Sequence, residues 1–191
     1  RIAADLPAID GPAILCLQAG NVNSGSFDPA EPLIEWAHGH GAWVHVDGAF
    51  GLWALACQPY AHLAAGYQTA DSWATDAHKW LNVPYDSGIA LVADGDALRQ
   101  AMSISGAYIA PSSRRDAIDV TPDSSRRSRA IELWAALKSL GRSGLSQLIE
   151  RNCRQAEKLA AGLRQAGFEI LNDVVLNQII VAFGDDACTG K

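Results

Sequence analysis

The sequence predicts an α/β fold with a mostly parallel sheet flanked by helices. Three observations carry this. Residues 13–17 form a short continuous apolar run between Gly11-Pro12 and Gly20, the pattern of a buried strand. A helical stretch comes next, and a second apolar run over 42–46 follows it. Strand, helix and strand in that order imply a right-handed crossover and parallel pairing.

The first helix is expected after a polar loop, Asn21 to Ser26. Asp28-Pro29 supplies an N-cap and a proline at the first helical position, and Glu31 sits in the first turn. Leu33, Trp36, Ala37 and His40 fall at helical spacing, and Gly39 and Gly41 end the helix. Residues 59–66 read as a short helix, 72–75 and 88–93 as short strands, and 94–102 as a helix. Residues 103–122 contain Gly106, Pro111 and a polar Ser112-Ser113-Arg114-Arg115 stretch, so they read as a long loop. Loops of that length in compact domains are usually functional or mobile. A helix is expected over 123–140, with Ala130, Trp134, Leu137 and Leu140 on one stripe. A second, long amphipathic helix runs from about Leu145 to Gly167, marked by Leu148, Ile149, Ala156, Leu159, Ala160 and Leu163. Residues 168–171 and 178–183 read as closing strands. No internal repeat or low-complexity tract interrupts this order.

Composition narrows the function classes. Of 191 residues, 49% are hydrophobic and 19% charged, and six are Trp, which excludes a disordered chain. Fifteen Lys and Arg against 21 Asp and Glu give a net charge of -6, which argues against a nucleic-acid binder. No apolar run approaches the ~18 residues of a membrane helix, and no signal peptide precedes the first strand. The four cysteines (Cys16, Cys57, Cys153, Cys188) form no CxxC pair. They read as buried free thiols in a reducing cytoplasm, not as a disulfide framework or zinc site. The chain opens on Arg1 and stops at Gly190-Lys191 just after an apolar run, so it is expected to be a piece of a longer one.

Neither a G-x-G-x-x-G nor a P-loop sequence is present, so chemistry must come from elsewhere. In His45-Val46-Asp47-Gly48-Ala49, Asp47 falls at the carboxyl end of a buried strand, where open α/β sheets place ligand-binding groups. The alternative is a strand-end Asp that merely caps a turn. In Asp76-Ala77-His78-Lys79-Trp80, a lysine sits between His and Trp just after a strand. Partial desolvation there can make its amine nucleophilic towards a carbonyl. The alternative is a snorkelling lysine beside an aromatic ring. Tyr108, alone in the long loop, reads by itself as a packing residue. An Asp and a Lys at successive strand ends suit pyridoxal phosphate, which needs a lysine for its Schiff base. It also needs an aspartate to keep the pyridine nitrogen protonated, so that the ring acts as an electron sink. A metal site built from His45, Asp47, His62 and His78 is disfavoured, because no pair has the i, i+4 spacing of H-E-x-x-H.

Three segments together resemble the group II pyridoxal-dependent decarboxylases, which include aromatic-L-amino-acid, histidine, tyrosine and glutamate decarboxylases. They are GNVNSGSFDP from Gly20, WVHVDGAFG from Trp43 and DSWATDAHKWLNVPYDSG from Asp71, and the likeness continues through SRRSRAIELWAALKSLG from Ser125. The resemblance implies the large domain of a fold-type-I PLP-dependent transferase-like subunit over residues 1–140. Residues 141–191 would hold the long helix and the start of the C-terminal small domain. It implies Lys79 as the Schiff-base lysine, Asp47 as the partner of the pyridine nitrogen and Ala49 as the small residue under the ring. His78 matches the histidine near the cofactor phosphate. Tyr108 stands where the family has a loop tyrosine that reaches the partner subunit's site in a homodimer. Two positions depart from the family. Val22 replaces a threonine whose hydroxyl lies near the cofactor, and Asp76 stands where many members have Asn, which makes it a poor phosphate ligand.

The activity implied is decarboxylation of an L-amino acid to an amine and carbon dioxide by the full-length, cytoplasmic enzyme. Its substrate is a small molecule, with neither nucleic acid nor membrane as partner. Another fold-type-I activity is the nearest rival, either an aminotransferase or an aldehyde-forming decarboxylase. A Phe at 108 would favour aldehyde formation, and Tyr108 disfavours it. A non-catalytic fragment is the rival from another class, since the family's phosphate loop and ring-stacking histidine lie upstream of these residues.

Overall fold

The computed structural model describes residues 6–103, 116–123 and 125–190, and Tyr108 lies outside them. Four strands form the main sheet in the order β1-β2-β3-β4: β1 (Ile14–Gln18), β2 (Trp43–Asp47), β3 (Ser72–Asp76) and β4 (Gly88–Val92). β1, β2 and β3 run parallel, and β4 is antiparallel to β3. The register sets Gln18 beside Asp47 and Asp47 beside Ala74, so three parallel strands end at one rim.

Helix α1 (Ala30–Gly39) bridges β1 and β2 and buries Ala30, Leu33, Ile34 and Ala37 on one stripe. That stripe packs with Leu17, Val44 and Val46 from the sheet. Asp28 is not the N-cap. Pro29 takes that position without a side-chain cap, and the Asp28 carboxylate instead accepts the Gln18 N–H at 2.7 Å. Gln18 ends its strand, and its N–H takes the carboxylate in place of the helix N-terminus.

A 3₁₀ turn, Ala61–Ala64, stands where a helix over 59–66 was expected, and two more, Gly51–Ala56 and Tyr67–Thr69, flank it. After β3 comes a one-turn helix, α2 (Ala77–Trp80). Helix α3 (Gly95–Met102) has Asp94 as its N-cap, accepting from the N–H groups of Asp96 and Ala97. A 3₁₀ turn, Ala117–Asp119, lies in the described end of the long loop.

Helix α4 (Ala130–Gln165) is interrupted at Gly141, whose φ of 61° and ψ of -177° no helix contains. The helix expected from residue 123 therefore starts only at Ala130. Arg127 and Arg129, helix-compatible by type, instead reach sideways to Asp86. Beyond the break, Leu145, Ile149, Cys153, Ala156 and Ala160 form the buried stripe. Leu145, Ile149 and Cys153 pack with Ala54, Cys57, Ala77 and Trp80 in a second core.

The closing strands β5 (Glu169–Ile170) and β6 (Val181–Ala182) pair antiparallel but are shorter than the sequence pattern suggests. Asn172 truncates them. Its side chain accepts the Ile180 N–H and donates to the carbonyls of Ser24 and Gln178, replacing ladder bonds. A last turn of helix, α5, spans Asp186–Thr189. Among the described residues no helix is long and apolar enough to cross a membrane.

All four cysteines are free, but only Cys57 and Cys153 are buried; Cys16 and Cys188 are exposed. Burial, reinforced by Cys57 and Glu157 nearby, pushes the Cys153 thiol from its ordinary 9.0 up to about 12. The folded state thus keeps a proton that the unfolded chain gives up. Stability is undiminished below pH ~9 and falls as pH rises towards about 12. We expect native Cys153 to resist iodoacetamide at pH 8 and to label once the protein is unfolded in urea, because the thiolate is the reacting form. Labelling of native Cys153 at the unfolded rate would contradict this placement.

The rim is closed by backbone packed on backbone. A Cβ on Gly51 would stand 2.3 Å from the Ala19 carbonyl oxygen, while one on Gly95 would meet nothing within 4 Å. Gly51→Ala should therefore destabilise the protein by about 1–3 kcal/mol. Gly95→Ala, in the first turn of α3, should be neutral or stabilise by up to ~1 kcal/mol. Urea denaturation of the two variants checks the contrast, and equal midpoints would refute the close approach.

Candidate active site

Asp47 ends β2, and the chain then turns sharply. The Ala49 N–H donates to Asp47 Oδ1 at 3.1 Å, and the Gly48 N–H donates to the Ala74 carbonyl at 2.8 Å. The Thr75 hydroxyl donates to the Gly48 carbonyl at 2.8 Å. These bonds lock the turn after β2 against β3. One carboxylate oxygen of Asp47 is thus held by its own turn. The other has no protein partner among the described residues and faces the open rim, where Asp47 is exposed.

β3 runs directly into α2, which carries His78 and Lys79. The Lys79 ammonium meets Asp76 Oδ2 at 2.7 Å and lies 4.3 Å from the centre of the Phe50 ring. It is not held mainly by apolar neighbours, as its His and Trp flanks suggested. Instead a carboxylate and an aromatic face hold it, with 31% of the side chain exposed. Trp80 points the other way, into the second core, and its indole N–H has no protein acceptor among the described residues.

His78 is 11% exposed and is fixed at one nitrogen. The Ser87 N–H donates to its Nδ1 at 3.0 Å, which places the ring proton on Nε2. Nε2 lies 3.8 Å from Asp76 Oδ2, and the ring stacks at a tilt on Tyr85 with centroids 4.3 Å apart. Ser87 is itself buried, and its carbonyl accepts the Ala77 N–H at 2.9 Å. Asp86 precedes it in the grip of Arg129, whose Nε and Nη2 each reach Oδ1 at 2.9 Å. That guanidinium holds the Asp86 carboxyl below the usual range.

The structure therefore brings Asp47, Ala49, His78 and Lys79 to the ends of adjacent parallel strands. Tyr108 falls outside the described residues. Asp76 was set aside as a poor phosphate ligand, and its observed place is between Lys79 and His78. The i, i+3 spacing of Asp76 and Lys79 was the signal for that pair. Phe50, Asp86, Ser87 and Arg129 have no role assigned from the sequence. Phe50 could have been noticed as an aromatic three residues past Asp47, but Arg129 lies 43 residues from Asp86 in sequence.

The donor set fits pyridoxal phosphate. A carboxylate with one oxygen unpartnered can accept a hydrogen bond from a protonated ring nitrogen and so keep it protonated. A primary amine at the next strand end can condense with an aldehyde, and Ala49 leaves room for a flat ring. Among the described residues no group of three His, Cys, Asp or Glu is placed to hold a metal ion.

Comparison with known proteins agrees. Residues 8–183 match the pyridoxal-dependent decarboxylase conserved domain. Tyrosine/DOPA decarboxylase 1 of Papaver somniferum is 34% identical over 161 residues, 82% of this chain and 31% of that protein. Phenylacetaldehyde synthase of Petunia hybrida is 32% identical over 76% of this chain and 30% of its own length. The crystal structure of mouse CSAD in apo form superposes with a TM-score of 0.82 at 25% identity, over 93% of this chain and 38% of that one. The chain thus spans about a third of the length of these relatives.

The Lys79–Asp76 pair is partly solvated, so its contribution to stability is small. Asp76→Asn, the residue of many family members, should lower stability by only about 0.2–1 kcal/mol. A loss above ~2 kcal/mol in urea denaturation would show that Asp76 holds more than this ion pair.

Proposed function

The chain belongs to the pyridoxal-dependent decarboxylase family, and on that premise we propose that the full-length protein converts an L-amino acid to its amine and carbon dioxide. Pyridoxal 5'-phosphate is the cofactor. The observation that carries the reading is the placement of Asp47 and Lys79 at the carboxyl ends of neighbouring parallel strands. The aromatic amino acids are the favoured substrate class, because a tyrosine/DOPA decarboxylase is among the relatives.

When bound, the cofactor supplies an electron sink for the pair left on the substrate's Cα as carbon dioxide departs. Lys79 would hold the cofactor through its ε-amine, and Asp76, 2.7 Å away, is placed to take the proton that the amine must lose. Asp47 would keep a proton on the ring nitrogen with the oxygen its own turn does not use. Ala49 would pack against the cofactor ring, where a larger side chain would crowd it. His78 presents its Nε2–H beside Asp76 and would offer that donor to the cofactor phosphate. We assign Tyr108 the delivery of a proton to Cα, since a phenol with an ordinary pKa of ~10 stays protonated at neutral pH.

We further propose that residues 1–140 belong to the large domain and that 141–191 lead into the small one. The break at Gly141 supports this division. A cytoplasmic homodimer completes the reading. Free Cys57 and Cys153 suit the compartment, and exposed Ile131 and Trp134 on α4 suit a covered surface in the assembled enzyme.

Borohydride reduction of the full-length holoenzyme followed by peptide mapping should place the pyridoxyl group on Lys79. Label on Lys138, Lys158 or Lys191 would sink the assignment. Asp47→Asn should retain the fold yet lower turnover at least about a hundredfold, each ~1.4 kcal/mol of barrier being tenfold. Product analysis under air separates amine from aldehyde formation, which a phenylacetaldehyde synthase among the relatives makes the alternative. The native enzyme should yield amine, and Tyr108→Phe should shift the yield towards aldehyde. Aldehyde as the main native product would overturn the proposed reaction.

A further inference from the structure

Asp86 is an exposed loop residue, 59% exposed at its side chain, yet two arginines converge on it. Arg129 Nε donates to its carboxylate at 2.9 Å and to its main-chain carbonyl at 3.0 Å, and Arg129 Nη2 reaches the same carboxylate oxygen at 2.9 Å. Arg127 Nη2 donates to the same carbonyl at 3.3 Å. A forked guanidinium that binds side chain and backbone of one residue fixes both its rotamer and its peptide plane.

The same peptide that offers the Asp86 carbonyl to the arginines carries the Ser87 N–H. Ser87 is 3% exposed, so its N–H and carbonyl must find protein partners. The N–H goes to His78 Nδ1 at 3.0 Å and the carbonyl takes the Ala77 N–H at 2.9 Å. His78 Nδ1 also lies 3.1 Å from the Ser87 carbonyl. Tilting the Asp86–Ser87 peptide would withdraw the N–H from Nδ1 and leave the Ser87 carbonyl, in the following peptide, as the group nearest to it, so the ring proton would move from Nε2 to Nδ1. The state of His78 depends on how firmly residue 86 is held, and the holding group lies at the start of α4.

We propose that Arg129 is a positioning residue for the cofactor site: by clamping Asp86 it orients the Ser87 peptide, which sets the tautomer of His78 and anchors the one-turn helix that carries Lys79. The inference rests on the assignment of His78 and Lys79 to the cofactor. Arg129 touches neither the cofactor nor the substrate. An ordinary structural tie between α4 and the loop would affect stability alone, whereas a positioning residue changes His78.

The test uses full-length enzyme with ¹⁵N-labelled histidine. In the wild-type apoenzyme His78 should show a single Nε2–H tautomer. Arg129→Gln should give mixed tautomers at His78, and the holoenzyme should lose about ten- to hundredfold in kcat with KM within ~twofold. Arg129→Lys keeps the charge but not the fork, so it should not rescue the tautomer. Asp86→Asn retains the carbonyl contacts and should fall between wild type and Arg129→Gln. Wild-type His78 signals and kcat in folded Arg129→Gln would overturn the proposal. If that variant does not fold, unchanged His78 signals in Asp86→Asn overturn it instead. Lys79→Ala tests the underlying assignment separately: retained borohydride-fixed cofactor would refute Lys79 as the attachment point, while the apoenzyme His78 signals would still decide the role of Arg129.

Discussion

Everything at the site depends on the alternation of side chains along β2. Val44 and Val46 are fully buried against α1, Leu33 and Ala37. A strand has a period of two, so burying those valines turns Trp43, His45 and Asp47 to the opposite face. A slip of one residue would bury the Asp47 carboxylate among the aliphatic groups of α1, at a cost no neighbour offsets. The apolar core therefore selects the register, and the register delivers a carboxylate to the open rim. Parallel pairing adds the second half of the constraint. β3 ends at the same rim as β2, so whatever follows Asp76 emerges beside Asp47. The rest of the site is elaboration of those two strand ends.

The elaboration works by using up backbone donors and acceptors. Gly48, Ala49, Ala77 and Ser87 each commit a main-chain group to another residue of the rim. These bonds tie the turns of the rim to the sheet, and at α2 the burial of Ala77 and Trp80 in the second core adds to them. Charge is handled in the same economical way. Lys79 has Asp76 and Asp86 has Arg129, each pair partly open to water. Such pairs contribute little to stability, yet they direct an ammonium or a peptide plane. A site held by direction more than by burial leaves its groups accessible to a cofactor.

The strands and the order of elements were legible because the sheet is built from short apolar runs with sharp Gly and Pro borders. Asp47 and Lys79 were legible for a related reason: each directly follows or ends such a run. Element edges were not legible wherever a polar side chain had a distant partner. Asp28 looked like a cap and instead serves Gln18. Residues 123–129 looked helical because Arg and Ser tolerate a helix, but Arg127 and Arg129 are drawn to a loop some 40 residues earlier. Asn172 cut β5 short through bonds to three other residues. Local propensity is a weak force, and one or two charged hydrogen bonds across the fold outweigh it.

A comparable arrangement recurs at the second histidine of the rim face. Ser72 is buried beside β2 and its hydroxyl oxygen lies 2.8 Å from both Trp43 Nε1 and His45 Nδ1. The indole can only donate. The serine proton then needs an acceptor, and His45 Nδ1 is the one within reach among the described residues. His45 consequently carries its ring proton on Nε2, as His78 does. Both imidazoles are pinned at Nδ1 by a serine, one through a hydroxyl and one through a peptide N–H. His45 and Asp47 stand two residues apart on the same face, so the imidazole belongs to the surface that ends in the Asp47 carboxylate. Fixing a tautomer from behind is what a site needs when the exposed nitrogen must present a donor. The fold achieves it twice, with residues drawn from β3 and from the loop before β4.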